Sequence, residues 1–210
     1  MLIFWKRHLV FLANTKTGST SIEMALESLA DVAVQRPPAL KHTTAARFSG
    51  LLAPFLGESA EGQRFETVAM IREPLDWLGS WFRYRARPGM KVPQNSTRGM
   101  SFDAFIDGYL SDTPPQPSRL GSQTDFMARA DGRCGVTTLF PYERFNEAAA
   151  YLRRRLGTAA EPEAVNVSPH AELALSAELE SRLRAERAAD FALHQQALAG
   201  WDALAARIGA

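Results

Sequence analysis

Lys16-Thr17-Gly18-Ser19-Thr20-Ser21 holds the residue types that an anion site needs. The lysine supplies a mobile positive charge, the glycine lets backbone N–H groups approach a ligand closely, and three consecutive hydroxyls add donors. The apolar run Leu9 to Ala13 comes just before, and Ile22, Ala25, Leu26 and Leu29 follow at i, i+3, i+4 and i+7. This pattern predicts a strand, a turn and a helix whose N-terminal amides and dipole face a phosphate or sulfate. A polar turn that merely starts a helix uses the same residue types. The nucleoside-triphosphate loop places its lysine after the last glycine, in G-x-x-x-x-G-K-[ST]; here Lys16 precedes Gly18, which disfavours ATP or GTP.

A second segment adds a fixed cation. Phe65 to Ile71 reads as a buried strand that ends in Arg72-Glu73-Pro74, and Pro74 suits the first turn of the helix that Leu75, Leu78 and Phe82 predict. Ligands of open α/β sheets bind beyond the carboxyl ends of strands, so Arg72 and the Lys16 turn are expected to share one crevice. Arg72 offers a planar fork for a phosphate, and Ser80, two helical turns on, a hydroxyl.

In this order the two segments resemble the paired signatures of sulfotransferases that use 3′-phosphoadenosine 5′-phosphosulfate (PAPS), in particular the carbohydrate sulfotransferase branch. The resemblance implies a three-layer α/β/α fold with a mainly parallel sheet, similar to P-loop NTPases. It implies that Lys16, Thr17, Gly18, Ser19, Thr20 and Ser21 hold the 5′-phosphosulfate and that Arg72 and Ser80 hold the 3′-phosphate. Glu73 stands where the family also uses Asp. Less specific matches follow in the family's order: Thr137 to Phe145, Asn166-Val167-Ser168-Pro169-His170 near the nucleotide, and the Asp190-Phe191 pair of a final helix.

The chemistry implied is sulfuryl transfer, in which an acceptor oxygen or nitrogen attacks sulfur in line while charge builds on the bridging oxygen. Lys16 and the amides near Gly18 are the expected catalytic stabilisers of that charge. No metal is expected, because a singly charged sulfuryl group needs less neutralisation than a triphosphate. His42 is the first candidate for general base, since it follows a predicted strand and the Pro37-Pro38 loop and titrates near neutrality; Glu23 is the reserve. A structural role serves either residue equally well. The rival readings are a P-loop kinase using ATP and a binder without turnover.

Composition supports one domain over residues 1–210. The chain is long enough to bury roughly 70% of its unfolded surface, and 46% hydrophobic residues can fill that core. A net charge of +1 gives no bulk attraction to nucleic acid or membranes. Cys134 is the sole cysteine, and the four histidines are too scattered to form a metal set. No run approaches the length of a membrane helix, and charges interrupt the apolar start Met1 to His8, so a cytoplasmic protein is expected; a fragment of a membrane-anchored enzyme would read alike. The expected partner is a small-molecule or glycan acceptor, with the oligomeric state left open.

Strands are predicted near 8–14, 32–35, 66–71 and 136–140, alternating with helices near 19–30, 44–56, 74–86, 101–110 and 143–156. Ser176 is the expected N-cap of a helical tail carrying Leu179, Leu183, Phe191, Leu198 and Trp201. Arg83, Arg85, Arg87, Lys91 and Arg98 form a basic run, more simply a solvated face than a ligand site. Acceptor contacts are expected from this run and from Pro114 to Pro117.

Overall fold

Five short apolar runs become strands. β1 (Leu2–Phe4), β2 (Leu9–Leu12), β3 (Val32–Ala33), β4 (Glu66–Ile71) and β5 (Thr138–Pro141) form one sheet in the order β3-β1-β2-β4-β5. β4 pairs parallel with β2 and with β5, whereas β1 is antiparallel to β2 and β3. Four strands therefore share a direction, and β1 alone opposes them. This is a mixed α/β sheet with a parallel centre. β1 is missing from the sequence reading because it is three residues long; a tight turn at Trp5–Arg7, closed by His8 at φ 46°, folds it back onto β2.

The computed structural model describes residues 1–59, 64–163 and 173–208, so Asn166, Ser168 and His170 lie outside the described residues. Its helices are α1 (Ser19–Leu26), α2 (Pro38–Lys41), α3 (Ala45–Arg47), α4 (Ala53–Ser59), α5 (Pro74–Arg85), α6 (Phe102–Leu110), α7 (Gln123–Met127), α8 (Phe145–Leu156), α9 (Ala177–Glu186) and α10 (Ala188–Ile208).

Strand residues alternate between two buried faces, the pattern a central sheet covered on both sides requires. Leu9, Phe11, Val68, Met70 and Phe140 pack with Ile22 and Leu26 of α1 and Ala148 and Leu152 of α8. Val10, Leu12, Ala69 and Ile71 pack on the other side with Ala45, Phe48, Phe126 and Met127. α10 covers the β5 edge: Trp201 joins the first face, with its ring 5.4 Å from Phe140, and Ala197 joins the second. A third apolar cluster ties Trp77 and Leu78 of α5 to Phe102, Phe105 and Tyr109 of α6 and Leu183 of α9.

Two helices depart from expectation for local reasons. α1 ends at Leu26 and tightens into a 3-10 turn over Glu27–Leu29, which shifts the phase and turns Leu29 outward. The predicted helix over 44–56 is broken into α3, a π turn at Phe48–Leu52 and α4, since Pro54 has no N–H to continue the ladder. Among the described residues no helix is long and apolar enough to cross a membrane.

Candidate functional site

Parallel strands β2, β4 and β5 end on the same side of the sheet, and each delivers one part of the site there: the turn 14–18, Arg72, and the rings of Tyr142 and Phe145. The turn is tightly built. Thr17, fully buried, donates from Oγ1 to the Asn14 carbonyl at 3.0 Å, while Lys16 and Gly18 adopt left-handed backbone at φ 62° and 71°. Trp77 of α5 donates from Nε1 to the Thr15 carbonyl at 2.9 Å. Gly18 is the N-cap of α1 and has no side chain to accept from it, so the first amides of the helix lack the usual capping oxygen. Ser19 and Ser21 are buried and Thr20 is half-buried.

Gly18 also meets a packing requirement that local sequence does not reveal. A Cβ there would sit 2.7 Å from Cε2 of Phe145 and 3.2 Å from Cε2 of Tyr142, so aromatic rings occupy the space that the missing side chain leaves. These rings also reach the second segment, since the Arg72 guanidinium lies 4.3 Å from the Tyr142 ring. Arg72 donates from Nε to Asp76 Oδ2 at 2.6 Å and from Nη1 to the Lys16 carbonyl at 3.1 Å. Its guanidinium thus points at the Lys16 turn, with Nη2 outside these contacts.

The side chains around Lys16 create an excess of positive charge. Lys16 Nζ lies 4.4 Å from the centre of the Tyr84 ring and 5.8 Å from Trp81, and the Arg87 guanidinium lies 5.5 Å from the same Tyr84 ring. Arg83 pairs with the second oxygen of Asp76 at 3.5 Å. Burial, then the charges of Arg87, Arg72 and Arg83, pull the Lys16 ammonium down to about 8. One carboxylate, Asp76, is shared by two of these four cations. An anion placed among them would relieve both the desolvation and the like-charge repulsion.

The sequence reading favours a solvated face for the basic run, with acceptor contacts as its other role; Arg83 and Arg87 instead lie beside Lys16. The missed signal is spacing: Asp76, Ser80 and Arg83 recur at +4 and +7 on one face of α5, and Arg87, two residues past its end, continues that spacing. Ser80 lies on that face and is buried. Other members of the basic run go elsewhere. Arg85 is buried and donates to the carbonyls of Gln116, Pro117 and Arg119, pinning the proline-rich loop, and Arg98 donates to the Ala86 carbonyl.

His42 lies at the end of β2, with Nδ1 2.7 Å from the Ala13 carbonyl. A carbonyl can only accept, so Nδ1 carries the proton and Nε2 holds the basic lone pair. Burial keeps the ring below the ordinary histidine value. Glu23 is not available as the reserve base. It is 2% exposed, accepts from the Met1 ammonium at 2.8 Å and has Lys41 Nζ 3.0 Å from Oε2, outside hydrogen-bond geometry; the carboxylate is committed to these cations.

Asp190, buried at the start of α10, accepts from the Thr124 amide at 2.7 Å and so caps α7. Ser176 precedes α9 as expected, yet its hydroxyl makes no capping bond; its amide donates to Asp103 instead. Among the described residues no group of three or more His, Cys, Asp or Glu is placed to hold a metal. No protein-family model, no curated protein and no solved structure matches this chain.

Proposed function

We propose that this chain is a sulfotransferase of P-loop-type α/β architecture that moves a sulfuryl group from PAPS to a hydroxyl or amine, with carbohydrates the favoured acceptor class. The observation that carries this reading is the gathering of Lys16, Arg72, Arg83 and Arg87 at the ends of parallel strands, where Arg72 donates to the Lys16 carbonyl and shares Asp76 with Arg83, and Arg87 and Arg83 act on Lys16. A donor charged at both ends matches a cation cluster contributed by two separate chain segments. The residues fit the phosphosulfate end well, because the α1 amides have no side-chain cap and Lys16 is cationic but poorly solvated. At the 3′-phosphate end Arg72 must divide its fork between Asp76 and the ligand, with Ser80 on the α5 face that also carries Asp76.

Within this reading the bound donor supplies an activated sulfuryl group. Lys16 stabilises the charge on the departing oxygen, and Thr17 holds the turn that aims Lys16. His42 takes the acceptor proton on Nε2, with the Ala13 carbonyl fixing its tautomer. The reading needs no metal, and Arg83 and Arg87 supply further positive charge beside Lys16.

Thermal stability with adenosine 3′,5′-bisphosphate and with ADP tests the donor class. The bisphosphate at 100 times its Kd should stabilise by about 2.7 kcal/mol, and ADP should do markedly less; a larger effect from ATP with magnesium favours the kinase alternative instead. Sulfuryl transfer from PAPS to a panel of sugar alcohols should be abolished by Lys16→Ala. Bisphosphate binding without transfer by the unmodified protein leaves the binder alternative standing.

A further inference from the structure

Gln123 is 1% exposed, sits on the first turn of α7, and touches both halves of the site. Its Oε1 accepts from the Arg72 amide at 3.0 Å, and its Nε2 donates to the Arg72 carbonyl at 2.7 Å, so one side-chain amide satisfies both backbone groups of Arg72. The same Oε1 accepts from Asn14 Nδ2 at 3.2 Å, and Asn14 also donates to the Met70 carbonyl at 3.0 Å. Asn14 opens the turn that carries Lys16. The strand ladder stops before Arg72, where β4 pairs no further than Ile71. Past that point a planar amide replaces the missing neighbour strand and sets the direction in which the Arg72 side chain leaves the backbone.

We propose that Gln123 is a positioning residue that locks Arg72 and the Lys16 turn into one register and thereby sets selectivity for a ligand phosphorylated at both ends of its ribose. The assignment rests on the reading of Arg72 as a 3′-phosphate contact. α7 is itself held in place, by the Ser122 and Asp125 capping box and by Asp190 on Thr124, so the Gln123 amide is delivered from a short but well-anchored helix.

The test compares adenosine 3′,5′-bisphosphate with adenosine 5′-monophosphate by calorimetry in the unmodified protein, Gln123→Met and Gln123→Glu. Gln123→Met removes both bonds with Arg72 and the one from Asn14 at similar volume. It should weaken the bisphosphate at least tenfold and leave the monophosphate within about twofold. Gln123→Glu keeps an acceptor for the Arg72 amide but places a carboxylate oxygen against the Arg72 carbonyl; only the protonated acid donates there. Selectivity should therefore be lost at neutral pH and regained as pH falls, a profile that simple loss of packing does not produce.

Selectivity retained by a folded Gln123→Met protein, or a flat pH profile in Gln123→Glu, overturns the assignment while leaving the sulfotransferase reading intact. If the unmodified protein shows no preference for the bisphosphate, that reading fails. The nitrogen-15 signal of Arg72 Nε–H then decides the positioning role by itself: a signal unchanged in both variants rejects it, and one shifted in both supports it.

Discussion

Lys16 carries the strongest electrostatic tension in the site. Its folded value of about 8 lies below the ordinary 10.5, so the native state bears the cost of the charged ammonium below pH 8 and is relieved of it as pH rises from 8 toward 10.5. Anion binding has the opposite sign. Affinity for adenosine 3′,5′-bisphosphate should be greatest below pH 8 and decline as pH rises through it; an affinity flat from pH 7 to 9.5 would remove Lys16 from the ligand. Lys16→Met should abolish that affinity while raising the thermal midpoint at pH 7 by about 2–4 °C per kcal/mol of repulsion relieved. His42, kept below its ordinary value by burial, stays neutral at pH 7 with Nε2 ready to accept. His42→Asn should lower kcat by about 10²–10⁴ with little change in bisphosphate affinity. A kcat unaffected by this change would reduce His42 to a loop hydrogen bond.

Elements meet at two contacts that a reading of single segments does not foresee. The first is Gly18 beneath Phe145 and Tyr142, where β2, α1 and α8 converge. Gly18→Ala combines a left-handed φ with a 2.7 Å clash, and should cost about 1–3 kcal/mol from backbone strain alone plus whatever the ring displacement adds. Pairing it with Phe145→Leu should recover part of the loss in a denaturant double-mutant cycle; strictly additive losses would show that the ring does not set the requirement for glycine. The second is Arg85, whose guanidinium lies 5.1 Å from the Trp81 ring and holds three carbonyls of the 116–119 loop. It shows why neighbouring arginines of one basic run have different roles: successive helical positions point about 100° apart, so Arg83 faces Asp76 and the site, and Arg85 faces a loop.

At the scale of the whole molecule, α10 closes the sheet. Trp201 is 2% exposed, packs on Phe140 and donates to Glu147 Oε2 at 2.5 Å, fastening the C-terminal helix over the β5 edge and onto α8. Trp201→Ala should cost about 3–5 kcal/mol in equilibrium unfolding; a loss below 1 kcal/mol would mean that α10 is not part of the cooperative core. The α/β class, β4, α5, α6 and the two cation-bearing segments were all readable in the sequence, because hydrophobic period and turn chemistry are local properties. β1 and α7 were not, being three and five residues long with no periodicity to measure, although Ser122 and Asp125 carried a capping signal. Residue type and spacing alone determined that Lys16 lies in the turn before a helix and that Arg72 follows a strand. Only the tertiary structure decided that Arg83 and Arg87 join them, that Glu23 is committed to the Met1 ammonium and Lys41, and that Gln123 braces Arg72. Each of these depends on which surfaces the strand order brings together, and contact between segments far apart along the chain, 51 residues for Gln123 and Arg72 and 22 for Met1 and Glu23, leaves no trace in local pattern.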